Sequence, residues 1–125
     1  MEIRIAVASS DGVSIDQHFG RAIQFRIYRL IDNGYEFIEV RNTDPACSGQ
    51  RHSDTGLEQT ATRIADCQGV IVSQIGAAAI DLLIAQRTLP FTMDGSVDEA
   101  LQVMLRSNQF NYLKGKTRDR AEQRP

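Results

Sequence analysis

The sequence contains little cysteine, which limits both its chemistry and its compartment. Cys47 and Cys67 are the only two cysteines in 125 residues, too few for the disulfide framework of a small secreted domain. In a reducing compartment such thiols pack in the core, ligate metals or take part in catalysis. We therefore expect no disulfide and a cytoplasmic protein.

Long apolar runs are missing as well. No stretch approaches the roughly 20 apolar residues that a membrane span requires. The first residues enter a strand-like pattern without the apolar segment of a signal peptide. The sequence therefore predicts no membrane segment.

Positive charge is scarce in residues 1–113, which have a net charge of −5, whereas residues 114–125 have +3. A nucleic-acid-binding domain needs a cationic surface, so we expect no nucleic-acid partner. The polar, basic composition of the last residues cannot bury enough apolar area to offset the entropy of ordering them. We expect one domain over residues 1–110 and a disordered tail over 111–125.

The hydrophobic periodicity predicts five strands and three helices in the order βββαβαβα. The predicted strands cover residues 3–8, 25–31, 35–40, 69–73 and 89–92. The predicted helices cover residues 55–66 and 77–86, and a last helix has its apolar stripe over residues 97–105. The first and last open with capping boxes at Thr55 and Ser96. This order predicts a mixed α/β fold: a three-strand meander, then two right-handed parallel crossovers that place helices on the sheet.

Ligands of such sheets bind outside the carboxyl ends of the parallel strands, here in the loops after Ala8, Ser73 and Thr92. The first loop contains an Asp11-Gly12 turn and His18. A neutral imidazole is the commonest metal ligand among side chains. His18 is therefore the first candidate ligand, and the alternative is an ordinary surface histidine.

A second candidate pair, Cys47 and His52, lies in the long loop over residues 42–54. Two ligands leave a tetrahedral zinc ion half-satisfied, so no structural zinc is expected. One thiolate and two imidazoles, counting His18, suit an iron-sulfur cluster better than a hard cation. The alternative is an exposed thiol and a solvated histidine without a role.

Three further residues are candidates for binding an anion. Arg21 and Arg51 neighbour the two imidazoles and would compensate negative charge through charge-assisted hydrogen bonds. Gly76 precedes a predicted helix, whose first N–H groups would face the anion. The alternatives are two solvated arginines and a glycine required only by the turn. Cys67 follows the first helix and is expected in the core.

The motifs together resemble a known family. They are Ser-Ser-Asp-Gly-x-x-x-Asp-Gln-His-Phe-Gly, Asp-Pro-Ala-Cys with a following His, Ala-Asp-Cys, Gln-Ile-Gly and Val-Asp-Glu-Ala-Leu. Over residues 2 to about 107 the chain is similar to the dinitrogenase iron-molybdenum cofactor biosynthesis family. That family comprises NifX-like and NafY-like carriers and the C-terminal domain of the NifB-type cofactor synthase.

The resemblance implies a ribonuclease H-like fold and a non-catalytic role in nitrogenase assembly. It implies that the protein transiently holds an iron-sulfur cluster, the iron-molybdenum cofactor or its precursor, and meets other cofactor-assembly proteins. His18 falls on the family's proposed cluster ligand, and we pair it with Cys47 as a metal ligand. The Cys47 loop looks more like the synthase domain than the typical carrier.

Two other functions stay open at this point. A ribonuclease H-like sheet can carry carboxylates for metal-dependent phosphodiester hydrolysis, with Asp11, Asp44 and Asp66 as the candidates near strand ends, although the acidic body disfavours a nuclease. The other is a docking domain for a cofactor synthase. We expect a monomer or a weak dimer.

Overall fold

The computed structural model describes residues 3–31, 34–43 and 54–106. Its strands are β1 (Ile3–Val7), β2 (Gln24–Ile31), β3 (Gly34–Asn42), β4 (Gly69–Val72) and β5 (Leu89–Thr92). Its helices are α1 (Asp54–Arg63), α2 (Ala77–Ala85) and α3 (Val97–Arg106). The predicted mixed α/β fold with five strands and three helices is confirmed. The predicted tail over residues 111–125 lies outside the described residues.

Strand β1 lies at the centre of the sheet, whose strand order is β3-β2-β1-β4-β5. It pairs antiparallel with β2 and parallel with β4, and β5 extends the parallel part beyond β4. Ile5, Ala6 and Val7 are fully buried, as expected for a strand covered on both faces. The parallel strands therefore direct their carboxyl ends to one edge of the sheet.

Helices cover both faces of this sheet. Ala61 of α1 and Leu83 of α2 share one core with Val70 of β4. Helix α3 packs Leu101 and Met104 in a second core on the other face. Within the described ranges, no helix is long and apolar enough to cross a membrane.

The edge strand β3 contains a bulge. Glu39 pairs with Ile27 while Phe37 pairs with the next residue, Tyr28, so Ile38 is an extra residue in β3. Paired residues share a face of the sheet, and an extra residue shifts the alternation that follows it. Phe37 is half exposed, and its ring lies 5.5 Å from the ring of Tyr28.

Helix α1 differs from its predicted bounds at both ends. It begins at Asp54, one residue before the predicted cap Thr55, and ends at Arg63 rather than at residue 66. Past Arg63 the backbone tightens, because the N–H groups of Ile64 and Cys67 each bond to a carbonyl three residues back. The apolar residues keep their helical spacing after Arg63, but the α-helical hydrogen bonds end there.

The cap of helix α3 is formed as predicted. The Ser96 hydroxyl accepts a hydrogen bond of 2.9 Å from the N–H of Glu99, and the Ser96 carbonyl accepts one of 3.1 Å from Ala100. A hydroxyl acceptor here satisfies an N–H that has no partner inside the helix. The residues behind it, Val97, Ala100, Leu101 and Met104, are buried.

Replacing Ser96 with alanine should lower the free energy of unfolding by about 1 kcal/mol, because one N–H at the start of α3 loses its acceptor. Urea denaturation measures the effect. Ser96→Asp keeps an acceptor and should unfold close to wild type. Equal midpoints for wild type and Ser96→Ala would show that the hydroxyl does not cap α3.

Candidate functional site

The loop after β1 starts with the predicted turn. One carboxylate oxygen of Asp11 accepts hydrogen bonds from the N–H groups of Val13 (2.8 Å) and Ser14 (3.0 Å). Gly12 adopts a φ of 79°, which costs a glycine little. The bond from Ser14, followed by that from Val13, lowers the pKa of Asp11. Asp11 therefore shapes the turn.

Two polar side chains hold this loop together. The Asp16 carboxylate accepts hydrogen bonds from the N–H (3.0 Å) and hydroxyl (2.6 Å) of Ser10. The Gln24 amide, at the start of β2, donates to the carbonyls of Ser9 (3.0 Å) and Ser10 (2.9 Å). Residues 9–16 thus form a closed loop that is bonded to the sheet.

His18 sits where the chain returns to the parallel part of the sheet. The Ser73 N–H donates to the Gln17 carbonyl (3.0 Å), and the Phe19 N–H donates to the Gln74 carbonyl (2.9 Å). His18 and Gln74 thus form a one-residue parallel bridge beyond the end of β4. The next residue, Phe19, is buried and opens a short 3-10 helix, Phe19–Arg21, which the sequence patterns did not predict.

The His18 side chain is exposed. Its imidazole makes no hydrogen bond and no ion pair within residues 3–31, 34–43 and 54–106. Both ring nitrogens are therefore open to a ligand from outside the described residues, while the backbone on either side of the ring is fixed.

An open cavity of about 590 Å³ adjoins His18 at the carboxyl ends of the parallel strands. The described residues that line it are His18, Gly20, Arg21, Leu57, Ser73, Gln74, Ile75, Gly76, Ala78, Ala79 and Thr92. The cavity therefore meets the predicted loop regions after β1 and β4 and the last residue of β5, Thr92.

The electrostatics of this cavity favour an anion. Arg21 supplies a guanidinium, and Gly76 is the residue before α2 and has no side chain to cap that helix. The first N–H groups of a helix lack partners inside it and carry partial positive charge. None of the described lining residues is Asp or Glu, although the body of the chain is acidic.

The structure brings three of the six sequence-predicted site residues together, because His18, Arg21 and Gly76 all line this cavity. The other three, Cys47, Arg51 and His52, lie outside the described residues. Residue patterns alone did not single out the lining residues Leu57, Ser73, Gln74 and Thr92. Ser73 and Thr92 stand at the carboxyl ends of parallel strands, and that position was the available signal.

The described ranges contain no group of three or more His, Cys, Asp or Glu side chains that could hold a metal ion. Among the described residues that line the cavity, His18 is the one side chain suited to coordinate a metal of an iron-sulfur cluster.

Of the three carboxylates expected for a hydrolase, the two that the structure describes lie at opposite ends of the sheet. Asp11 follows the carboxyl end of β1, whereas Asp66 precedes the amino end of the parallel strand β4. Asp66 accepts hydrogen bonds from Arg41 (2.7 and 2.9 Å) and Arg4 (3.2 Å). The hydrogen bonds from Arg41 lower the pKa of Asp66. The third candidate, Asp44, lies outside the described residues.

Cys67 lies in the core, as expected. Its side chain is almost completely buried, and burial is the main cause that raises its pKa to about 12. Strand β4, four residues long and therefore about 13 Å at the usual rise per residue, separates Cys67 from the cavity. The Cys67 thiol thus lies at the opposite end of the sheet from His18 and cannot bind the same metal.

The burial of Cys67 predicts an unreactive thiol. In a Cys47→Ser variant, iodoacetamide at mildly alkaline pH should leave Cys67 unlabelled in the native protein, because the thiolate is the nucleophile. After unfolding in guanidinium chloride the same thiol should react. Mass spectrometry distinguishes the two states, and rapid labelling of the native protein would contradict a buried Cys67.

Comparison with known proteins gives a family match and several relatives. Residues 1–107 match the family model described as dinitrogenase iron-molybdenum cofactor. The FeMo cofactor biosynthesis protein NifB of Herbaspirillum seropedicae is 27% identical over 125 residues, which are 100% of this chain and 23% of that protein. Protein NifX of Rhodobacter capsulatus is 24% identical over 120 residues, covering 90% of this chain and 76% of that one.

The chain thus spans about a quarter of the length of the NifB proteins that it matches. Among solved structures, the crystal structure of PH0822 superposes with a TM-score of 0.66 at 18% identity, covering 82% of this chain and 90% of that chain. A likeness at this level of identity establishes a shared fold.

Proposed function

Because the chain belongs to the dinitrogenase iron-molybdenum cofactor family, we propose that it carries the iron-molybdenum cofactor, or an iron-sulfur precursor of it, during nitrogenase cofactor assembly. The cluster is cargo, and the protein binds and releases it without catalysing a reaction. The relatives named NifB and NifX support a place in cofactor biosynthesis for nitrogen fixation.

The observation that carries the proposal is the presentation of His18. Its imidazole is exposed and makes no bond within the described ranges, yet hydrogen bonds on both sides of it fix its backbone to the end of β4. A free imidazole on a fixed backbone suits coordination to an exposed metal of a preformed cluster.

The surroundings of His18 fit such a cargo. Iron-sulfur clusters bear thiolate and sulfide ligands. Hydrogen bonds to the sulfur atoms and nearby charges shift the reduction potential of the cluster. Arg21 and the amino end of α2 beside Gly76 supply positive charge to the same cavity, where a charge-assisted bond to an anion is strong. We propose that Cys47 is the second metal ligand, with His52 and Arg51 on the same loop also contacting the cargo.

Transient binding follows from the small number of ligands. Within the described ranges one side chain is available to coordinate metal at the cavity. A cluster held by one or two protein ligands exchanges more readily than one held by four thiolates. We therefore propose that the partners are the cofactor-assembly proteins that donate and receive the cluster, and that no nucleic acid is bound.

The remaining features of the proposal concern the chain as a whole. The mixed five-stranded sheet supports the ribonuclease H-like class that the resemblance implies. We propose that residues 1–110 form the cofactor-binding domain, followed by a disordered tail over 111–125. We also propose that the protein acts in the cytoplasm as a monomer or weak dimer.

A second candidate function is docking on a cofactor synthase. It is favoured by the match of the whole chain to about a quarter of a NifB protein, since a domain that occurs inside a synthase can also bind one. Docking does not require His18, so substitution of His18 separates the two functions.

His18→Ala should weaken cofactor binding by at least about ten-fold, because even outer-shell partners of metal ligands contribute that much. Anaerobic titration with isolated iron-molybdenum cofactor, followed by gel filtration and metal analysis, measures retention of iron and molybdenum. Cys47→Ala should be the next most damaging change. Arg51→Ala should act mildly and lose its effect at high salt.

The matched control is Gln59→Ala, an exposed residue of α1 outside the cavity, which should bind cofactor like wild type. Circular dichroism should show native folds for all variants, because loop ligands seldom support the core. If His18→Ala and Cys47→Ala both retain as much iron as wild type, the site lies elsewhere. Cleavage of DNA or RNA in Mg²⁺ or Mn²⁺ would instead favour the hydrolase.

A further inference from the structure

Gln17, the residue before His18, accepts hydrogen bonds from two different parts of the fold. Its carbonyl accepts the Ser73 N–H (3.0 Å) just after β4. Its side-chain oxygen accepts the Ile23 N–H (3.1 Å) just before β2. From these contacts we infer that Gln17 is a positioning residue for the metal ligand His18, an inference that rests on the proposed carrier function.

The side-chain bond closes a small ring of chain. It joins residues 17 and 23, so the segment between them, which contains His18, Gly20 and Arg21, is fixed at both ends. At the far end the Ile23 carbonyl accepts the Thr43 N–H (2.9 Å), which connects the ring to the end of β3. His18 and Arg21, which both line the cavity, thus lie on one segment that hydrogen bonds fix at both ends.

This segment has little internal support of its own. Its 3-10 helix is three residues long, and His18, at the cap position, makes no side-chain capping bond. Short 3-10 turns have poorer hydrogen-bond geometry than α-helices. Within the described ranges, the buried side chains of Phe19 and Ala22 support the segment. Its hydrogen-bonded supports are the backbone bonds to Ser73 and Gln74, the bonds that Thr43 donates to the carbonyls of Ala22 (2.7 Å) and Ile23 (2.9 Å), and the bond to the Gln17 side chain.

Loss of the side-chain bond should therefore loosen the segment without unfolding the protein. The backbone bonds to Ser73 and Gln74 and the Thr43 bonds to Ala22 and Ile23 would keep the segment in place, but without the Gln17 bond to the Ile23 N–H the segment would be held less rigidly between them. His18 and Arg21 would then sample more positions. Binding a cluster would have to order them, and this ordering is subtracted from the affinity.

Gln17→Met has a side chain of similar length without the amide acceptor, and Gln17→Glu keeps an acceptor oxygen. The control is Gln102→Met on α3, far from the cavity lining, where the glutamine makes no side-chain bond with the described residues. All three, and wild type, are first studied without cofactor.

The first measurement is ¹⁵N relaxation of the backbone amides. In wild type, Gln17→Glu and Gln102→Met, the order parameters of residues 18–22 should stay near the value of about 0.85 for rigid backbone. In Gln17→Met they should fall toward about 0.6, with the strands unchanged. Rigid values in Gln17→Met would overturn the inference.

The second measurement is a double-mutant cycle on binding of isolated iron-molybdenum cofactor. Gln17→Met alone should weaken binding by about two- to ten-fold, the size of one hydrogen bond. In the His18→Ala background the same change should weaken binding less, because the part of its contribution that passes through His18 is absent there. An equal loss in both backgrounds would overturn the positioning role.

The two proposals fail in different ways. If His18→Ala binds cofactor as tightly as wild type, the carrier site and the positioning role of Gln17 are both wrong. If His18→Ala loses binding and Gln17→Met does not, the carrier site stands and the inference about Gln17 falls.

Discussion

The parallel pairing of β1 with β4 is the constraint on which the candidate site depends. Both strands are buried on both faces, so their polar backbone groups must be paired within the sheet. Their carboxyl ends lie at the same edge, and the chain leaving β1 must pass close to the chain leaving β4. The loop that carries His18 uses this proximity, because it bonds back to Ser73 and Gln74 as an irregular continuation of the sheet. The position of His18 is thereby set by the core.

The second determinant is the distribution of charge. The body of the chain is acidic, yet the described lining of the cavity contains no carboxylate and includes Arg21 and the amino end of α2. The two ends of the sheet differ in how their charges are paired. At the amino end, Asp66 is neutralised by Arg41 and Arg4 in a structural ion network. An anion would therefore meet favourable charge at one end of the molecule and paired charge at the other.

Much of the fold follows from local patterns, whereas the site follows only in part. Alternating or continuous apolar runs marked all five strands, and Ser96 marked the start of α3, because these signals depend on neighbours in the sequence. The end of α1 was misplaced, since the apolar spacing around Ile64 continues after the helical hydrogen bonds stop. The contacts of Gln17 were not visible, because the two N–H groups that donate to it, those of Ser73 and Ile23, are brought near it by tertiary structure. His18 was found as a candidate from its residue type and loop, while its open environment emerged only from the fold.

The bulge at Ile38 affects the tendency of the protein to aggregate at high concentration. A regular edge strand offers an unpaired ladder of N–H and C=O groups to which a strand of another molecule can add, the first step toward aggregation. Strand β3 is long and exposes Phe37 and Val40, so a straight edge here would be a hazard. The extra residue interrupts the ladder and increases the local twist. The irregular edge is therefore expected to disfavour the addition of an identical strand.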